Sequence, residues 1–224
     1  MPSIADLMTR FALAAVLGAG AYAGARAAEP GAATPDAAMC DQAVDAVERE
    51  LRLPARLLRA VSLAESGRWD AAQQASFAWP WTVTAGGTGR FYRDRDEAMA
   101  AVRRLHARGV RNIDVGCMQV NLMYHADAFD ELDAAFDPAR NALYAGQFLK
   151  ALRLERRSWS AAVAHYHSAT PERGTAYSER VFELWRGESR RAFEAALAAR
   201  KAAAEARREA AARSREAAGI LASR

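Results

Sequence analysis

Apolar residues recur at helical spacing along most of this chain, and the pattern predicts a series of short helices. Val44, Val47 and Leu51 share one face of a first helix that Asp41 can cap. Leu53-Pro54 interrupts it, and a second helix opens with Pro54, carries Leu57, Leu58, Val61 and Ala64 inward, and ends at Gly67. After Trp69 and Asp70 the helical period lapses. Trp79-Pro80-Trp81, Thr82-Val83-Thr84, Gly86-Gly87 and Phe91-Tyr92 predict a β-hairpin between Trp79 and Tyr92. Asp94 and Glu97 form a capping-box pattern for a helix through Met99, Val102 and Leu105, stopped by Gly109. Asp137-Pro138 opens a helix bearing Tyr144, Phe148 and Leu152, and Ser158 caps one bearing Trp159, Val163 and Tyr166. Thr175 can cap a last core helix with Tyr177, Val181, Leu184 and Trp185. From Glu188 on, alanine, arginine and glutamate dominate, and the stripe fails after Phe193 and Leu197 until Ile220 and Leu221. Such a segment is a solvated helix of up to roughly 45 Å. The expected fold is therefore mainly α, of the α+β kind, with helices around one small β-hairpin and an extended C-terminal helix.

Glu65 disturbs this pattern. It falls seven residues after Leu58 and so lies on the apolar face of its helix. A carboxylate at the edge of an apolar stripe loses hydration, which raises its pKa toward the range useful for general acid and base work. A Glu rotated outward at a fraying helix end is the plainer alternative.

Composition adds a destination. Arg10, an apolar run from Phe11 to Gly24 and the small-x-small triplet Ala25-Arg26-Ala27 read as a signal peptide over residues 1–27. The run is shorter than the ~20 residues that a membrane span needs. An uncleaved anchor is the competing reading, because the n-region holds one Arg and an Asp6. Residues 28–39, with Pro30, Gly31 and Pro35, read as a flexible leader, 40–187 as one domain, and 188–224 as a polar helical tail. After export, Cys40 and Cys117 meet an oxidising compartment and are expected to pair. A catalytic thiol at Cys117 served by His165 is the rival, disfavoured because thiols oxidise there. The net charge of +4 and pI near 9.4 favour an anionic partner, whether wall polymer, membrane surface or nucleic acid. Much of that charge lies in the tail, so it decides nothing about the domain.

Three blocks in order resemble the lysozyme-like lytic transglycosylases of the soluble catalytic-domain type. Leu57-Leu58-Arg59-Ala60-Val61 leading to Glu65-Ser66 is similar to the family's helix and its Glu-Ser pair. Gly116-Cys117-Met118-Gln119-Val120-Asn121 is similar to its Gly-x-Met-Gln motif. Phe136-Asp137-Pro138 with Asn141, then Ala164-His165-Tyr166-His167-Ser168 and a later Tyr177, resembles its Ala-Tyr-Asn-x-Gly block and the tyrosine that follows. His167 stands where the family has asparagine and Ala169 where it has glycine, and the Trp79 to Tyr92 hairpin is longer than a minimal member needs.

The resemblance implies a lysozyme-like fold over residues 40–187 and a periplasmic enzyme acting on peptidoglycan strands between N-acetylmuramic acid and N-acetylglucosamine. Glu65 would be its catalytic acid and base, forming a 1,6-anhydro product. Ser66, Met118, Gln119, Asn121, Tyr166 and Tyr177 would bind substrate or brace the site. It implies no cofactor, no metal, no nucleic acid and no stable membrane span after signal cleavage, and a secretion or motility apparatus is a further candidate partner. Ordinary glycoside hydrolysis uses two carboxyl groups. Asp70, Asp114, Asp127 and Glu179 are available, but none lies on an evidently inward face. His165 and His167 are two apart and diverge on a helix, which suits a metal poorly. Trp69, Phe77, Trp79, Trp81 and Tyr92 either stack on sugar rings or pack the hairpin down. Two rival readings stand beside the leading one: a lysozyme-like hydrolase and a non-catalytic wall-binding assembly protein.

Overall fold

A computed structural model describes residues 35–71 and 73–222. Its elements, in order, are α1 (Pro35–Leu51), α2 (Leu57–Ser66), β1 (Gly67–Asp70), β2 (Ala75–Ala78), β3 (Thr82–Ala85), β4 (Thr88–Phe91), α3 (Arg95–Ala107), β5 (Ile113–Val115), β6 (Val120–Asn121), α4 (Leu132–Ala135), α5 (Pro138–Arg156), α6 (Trp159–His167) and α7 (Pro171–Ala222). The fold is mainly α with a small β portion. Strands β1 and β2 form one antiparallel hairpin, and a second antiparallel sheet has the order β4-β3-β5-β6. The predicted hairpin is thus β3–β4, and two further strands extend it.

Two apolar cores lie side by side. The larger joins α1, α2, α5, α6 and α7 through Val44, Leu58, Val61, Leu149, Val163 and Val181. The smaller packs the second sheet on α3 through Val83, Val102, Ile113, Val115 and Phe136. Trp79 and Trp81 are buried in the smaller core, so these two members of the aromatic cluster pack the hairpin down. Trp69 remains 58% exposed. Within the larger core, a disulfide ties Cys40 of α1 to Cys117 in the turn after β5. That bond also removes the free thiol on which the Cys117 alternative depended.

Four boundaries differ from expectation for identifiable reasons. Helix α1 begins at Pro35, inside the stretch read as a flexible leader, because proline is compatible with a first helical turn. The predicted signal peptide, residues 1–27, and residues 28–34 lie outside the described residues. Asp41 is accordingly not a cap but an interior residue of α1, where it accepts from Arg59 at 2.5 Å. Helix α2 begins at Leu57, after Arg56 at φ +70°, rather than at Pro54. Its start lacks a local side-chain cap, and the Glu48 carboxylate of α1 replaces one by accepting from the backbone of Arg56 at 2.6 Å and Arg59 at 3.1 Å. The last core helix and the tail are one helix, α7, begun at Pro171 instead of Thr175. Trp185 donates to the Ala55 carbonyl at 2.8 Å and Glu188 accepts from Arg59 at 2.9 Å, and from residue 189 the helix is almost entirely exposed to residue 215.

Candidate functional site

The site is built where α2 stops. Gly67 ends the helix because its backbone runs so close to the previous turn that a Cβ there would sit 2.3 Å from the Leu63 carbonyl oxygen. Glu65 therefore occupies the final turn, at the mouth of a cleft of about 600 Å³ between α2, α5 and α6 on one side and the second sheet on the other. Desolvation in this setting pushes its carboxyl up to about 7, against the hydrogen bond from Tyr177, with the nearby Asp114 charge adding to the rise and Arg180 opposing it. Tyr177 Oη donates to Glu65 Oε1 at 2.5 Å. The ring of Tyr177 is buried and lies flat against His167, with centroids 4.4 Å apart and planes 7° apart.

Opposite stands the turn 116–119. Gly116 has φ +81°, and a Cβ there would meet Asn141 Nδ2 at 2.6 Å, so glycine is required twice over. Asn141 is fully buried and holds the turn: its Oδ1 accepts from Met118 N at 2.9 Å, and its Nδ2 donates to the carbonyls of Val115 and Ala135 at 3.1 and 3.0 Å. Ser62 and Ser66 donate to the Cys117 carbonyl at 3.1 and 2.7 Å, and Tyr166 donates to the Met118 carbonyl at 2.8 Å. Every hydroxyl and amide in this set tightens the turn against α2, α5 and α6.

The seven residues singled out from sequence consequently divide. Glu65, Gln119, Asn121 and Tyr166 line the cleft. Ser66 and Met118 are buried beneath its wall, where they brace rather than face it, and Tyr177 reaches the site through its hydroxyl alone. Gln119, at φ +47°, accepts from Thr84 Oγ1 at 2.6 Å and donates to the carbonyls of Thr82 and Gly116 at 3.1 and 3.0 Å, so its side chain is held rigidly across the sheet. Asn121 Oδ1 accepts from the backbone of Met123 and Tyr124, both at 3.0 Å, while its Nδ2 donates to Asp114 Oδ1 at 2.8 Å.

Asp114 is the residue that sequence reasoning passed over. Cross-strand pairing aligns Thr84, Asp114 and Asn121 in one row, and all three line the cleft that contains Glu65. The opposite face of the same strands carries Val83, Val115 and Val120 into the cores. Ile113-Asp114-Val115 is an apolar-polar-apolar strand triplet, and its period of two was the available signal. The Asp114 carboxyl is raised by burial, opposed by its hydrogen bond from Asn121 and by His167 and His125. Burial lowers both of those imidazoles, while Asp114 pulls them up. His125 shares a 2.8 Å hydrogen bond with the Tyr144 hydroxyl. Among the described residues no three His, Cys, Asp or Glu are grouped so as to hold a metal ion.

Chemically, the cleft offers a carboxyl group that is about half protonated near neutral pH and a second carboxyl across from it. Around them stand amides, hydroxyls, aromatic rings, the imidazoles of His125 and His167, and one cation, Arg173. No family model matches the chain, and comparison with curated proteins and with solved structures gives no match.

Proposed function

We propose that this chain is a peptidoglycan lytic transglycosylase, with Glu65 as its catalytic acid and base. The observation that carries the reading is the Glu65 carboxyl, raised to about 7 at the edge of a cleft of about 600 Å³ and held by Tyr177. Protonated Glu65 gives its proton to the glycosidic oxygen between N-acetylmuramic acid and N-acetylglucosamine as that C–O bond breaks. The muramyl acetamido group stabilises the cationic centre left behind. The Glu65 carboxylate then removes the proton from the same sugar's C6 hydroxyl, whose oxygen bonds to the anomeric carbon. Glu65 ends protonated again, no water is consumed, and the product is a 1,6-anhydro terminus. Intramolecular attack gains from proximity, and a well-placed proton donor contributes roughly 100- to 10,000-fold.

Asp114 favours a second reading, hydrolysis of the same bond. A carboxylate facing the acid across the cleft is the arrangement that a glycoside hydrolase uses for a nucleophile or for activating water. A disulfide fits an oxidising compartment, and no helix among the described residues is long and apolar enough to cross a membrane. Together with residues 1–27 this supports a periplasmic place of action, where a secretion or motility apparatus would be a fitting partner.

Mass spectrometry of fragments released from purified wall by the disulfide-bonded protein tests both readings. Termini lighter than reducing ends by one water support transglycosylation. Reducing ends, together with loss of activity in Asp114→Asn, transfer the proposal to hydrolysis. Binding to the wall with no fragments released would leave a non-catalytic attachment protein and end both.

A further inference from the structure

The second sheet has a reverse side, and its edge carries charge of one sign. Thr88 and Arg90 of β4 pair with Ala85 and Val83 of β3 and share their face, the one turned toward α3 and away from the Asp114 row. Tyr92 continues that alternation. From α3 come Ala101, Arg104 and Leu105, and from its C-cap Arg108, at three, four and seven residues from Ala101 and so on one side of the helix end. These two faces enclose a cavity of about 400 Å³ with an apolar floor of Val83, Ala85 and Leu105. Arg90, Arg104 and Arg108 line it, and no Asp or Glu does. None of the three arginines forms a salt bridge with a described residue.

Overall composition does not account for the cluster. Residues 188–224 hold nine Lys and Arg against five Asp and Glu, a surplus of four that equals the net charge of the whole chain. The remainder is neutral, so three unpaired guanidinium groups around one cavity are a local feature. Arg104 and Arg108 at the end of α3 complement the helix dipole. Arg90 belongs to a strand and has no such role.

We propose that this cavity is an anion site for a phosphoryl group, separate from the Glu65 cleft and on the other side of the sheet. Guanidinium forks bind oxyanions through paired N–H donors. A single carboxylate has two oxygens, whereas a terminal phosphoryl group presents three strong acceptors, one for each arginine. Thr88 adds a hydroxyl at the rim and Tyr92 a ring wall, which suit a phosphate attached to a larger body. A soluble phosphate ester and a phosphomonoester lipid headgroup share this chemistry.

Sodium pyrophosphate titrated into the full chain by calorimetry, beside sedimentation with phosphatidic acid vesicles and with phosphatidylcholine vesicles, tests the site and separates the two sources. Saturable binding is expected in at least one anionic arm and not with phosphatidylcholine. Arg90→Gln, Arg104→Gln and Arg108→Gln should each weaken it by about tenfold or more, as expected for a lost charge-assisted hydrogen bond. All three side chains are exposed, and the circular dichroism spectrum and denaturant midpoint should be unchanged in these variants, which certifies their fold. Absence of saturable binding in both anionic arms would overturn the proposal. So would equal affinity for glutarate, or binding that survives Arg90→Gln.

Discussion

The two walls of the cleft place a carboxyl group opposite a carboxyl group, yet they do so by different means. On the helical wall Glu65 is carried by an apolar stripe, and its shift comes from lost hydration, with one tyrosine hydroxyl to steady it. On the sheet wall Asp114 sits in a row of polar side chains, held by the Asn121 amide and flanked by two imidazoles that become cationic when protonated. Both carboxyls are raised, but the helical wall isolates its acid whereas the sheet wall surrounds its own with partners. Such a division suits the one group to moving a proton and the other to holding charge.

Removing the isolated acid should have the largest effect. Glu65→Gln keeps the shape and deletes the titrating group, so fragment release should fall roughly 100- to 10,000-fold while the circular dichroism spectrum is retained. The sign on stability is the opposite one. Folded Glu65 holds its proton up to about 7, whereas the unfolded chain releases it near 4.5, so the wild type loses stability between those values. At pH 8 the Gln variant should therefore be more stable by up to about 3 kcal/mol, an advantage that vanishes below pH 4.5. Unaltered lysis by Glu65→Gln would remove the functional distinction between the walls.

The disulfide ties the 116–119 turn beside the sheet wall to α1, which packs behind the helical wall on α2 and α5. Cys40→Ser with Cys117→Ser opens a loop spanning 77 residues and should cost about 4 kcal/mol on the chain-entropy estimate, read as a lower denaturant midpoint. A loss well under 1 kcal/mol would mean that the two cores hold the walls together without it.

Smaller and more diagnostic are two shifts in the pH profile. Activity that needs protonated Glu65 should be flat below about 7 and fall above it. Tyr177→Phe deletes a hydrogen bond that favours the ionised form, so the falling limb of kcat/KM should move to higher pH. Asp114→Asn deletes a negative charge that favours the protonated form, so any residual activity should lose its limb at lower pH. Shifts of the same sign in the two variants would show that the walls do not act on Glu65 as described.

The helical wall was the more legible in the sequence. Leu58, Val61 and Glu65 announce their shared face through spacing alone, and Gly67, Asp137 and Ser158 mark helix ends where they were expected. Strand β5 has three residues and β6 two, too short for a period of two to stand out, so Asp114 was weighed and set aside. Ser66 and Met118 were recognised as belonging to the site, but whether they face the cleft or lie behind it depends on the packing of α5 and α6 against the 116–119 turn.

The sequence by itself determined the helices, the half-cysteines and the misplaced acid, because each is written in residues a few positions apart or in composition. Tertiary structure alone decided that Asp114 joins Glu65 and Gln119 in one cleft, that Tyr177 reaches Glu65 only through its hydroxyl, and that Arg90 meets Arg104 and Arg108 on the other side of the sheet. Those meetings depend on how sheet and helices close on two cores. Burial, the cause of the shift at Glu65, exists only once that closure has excluded water.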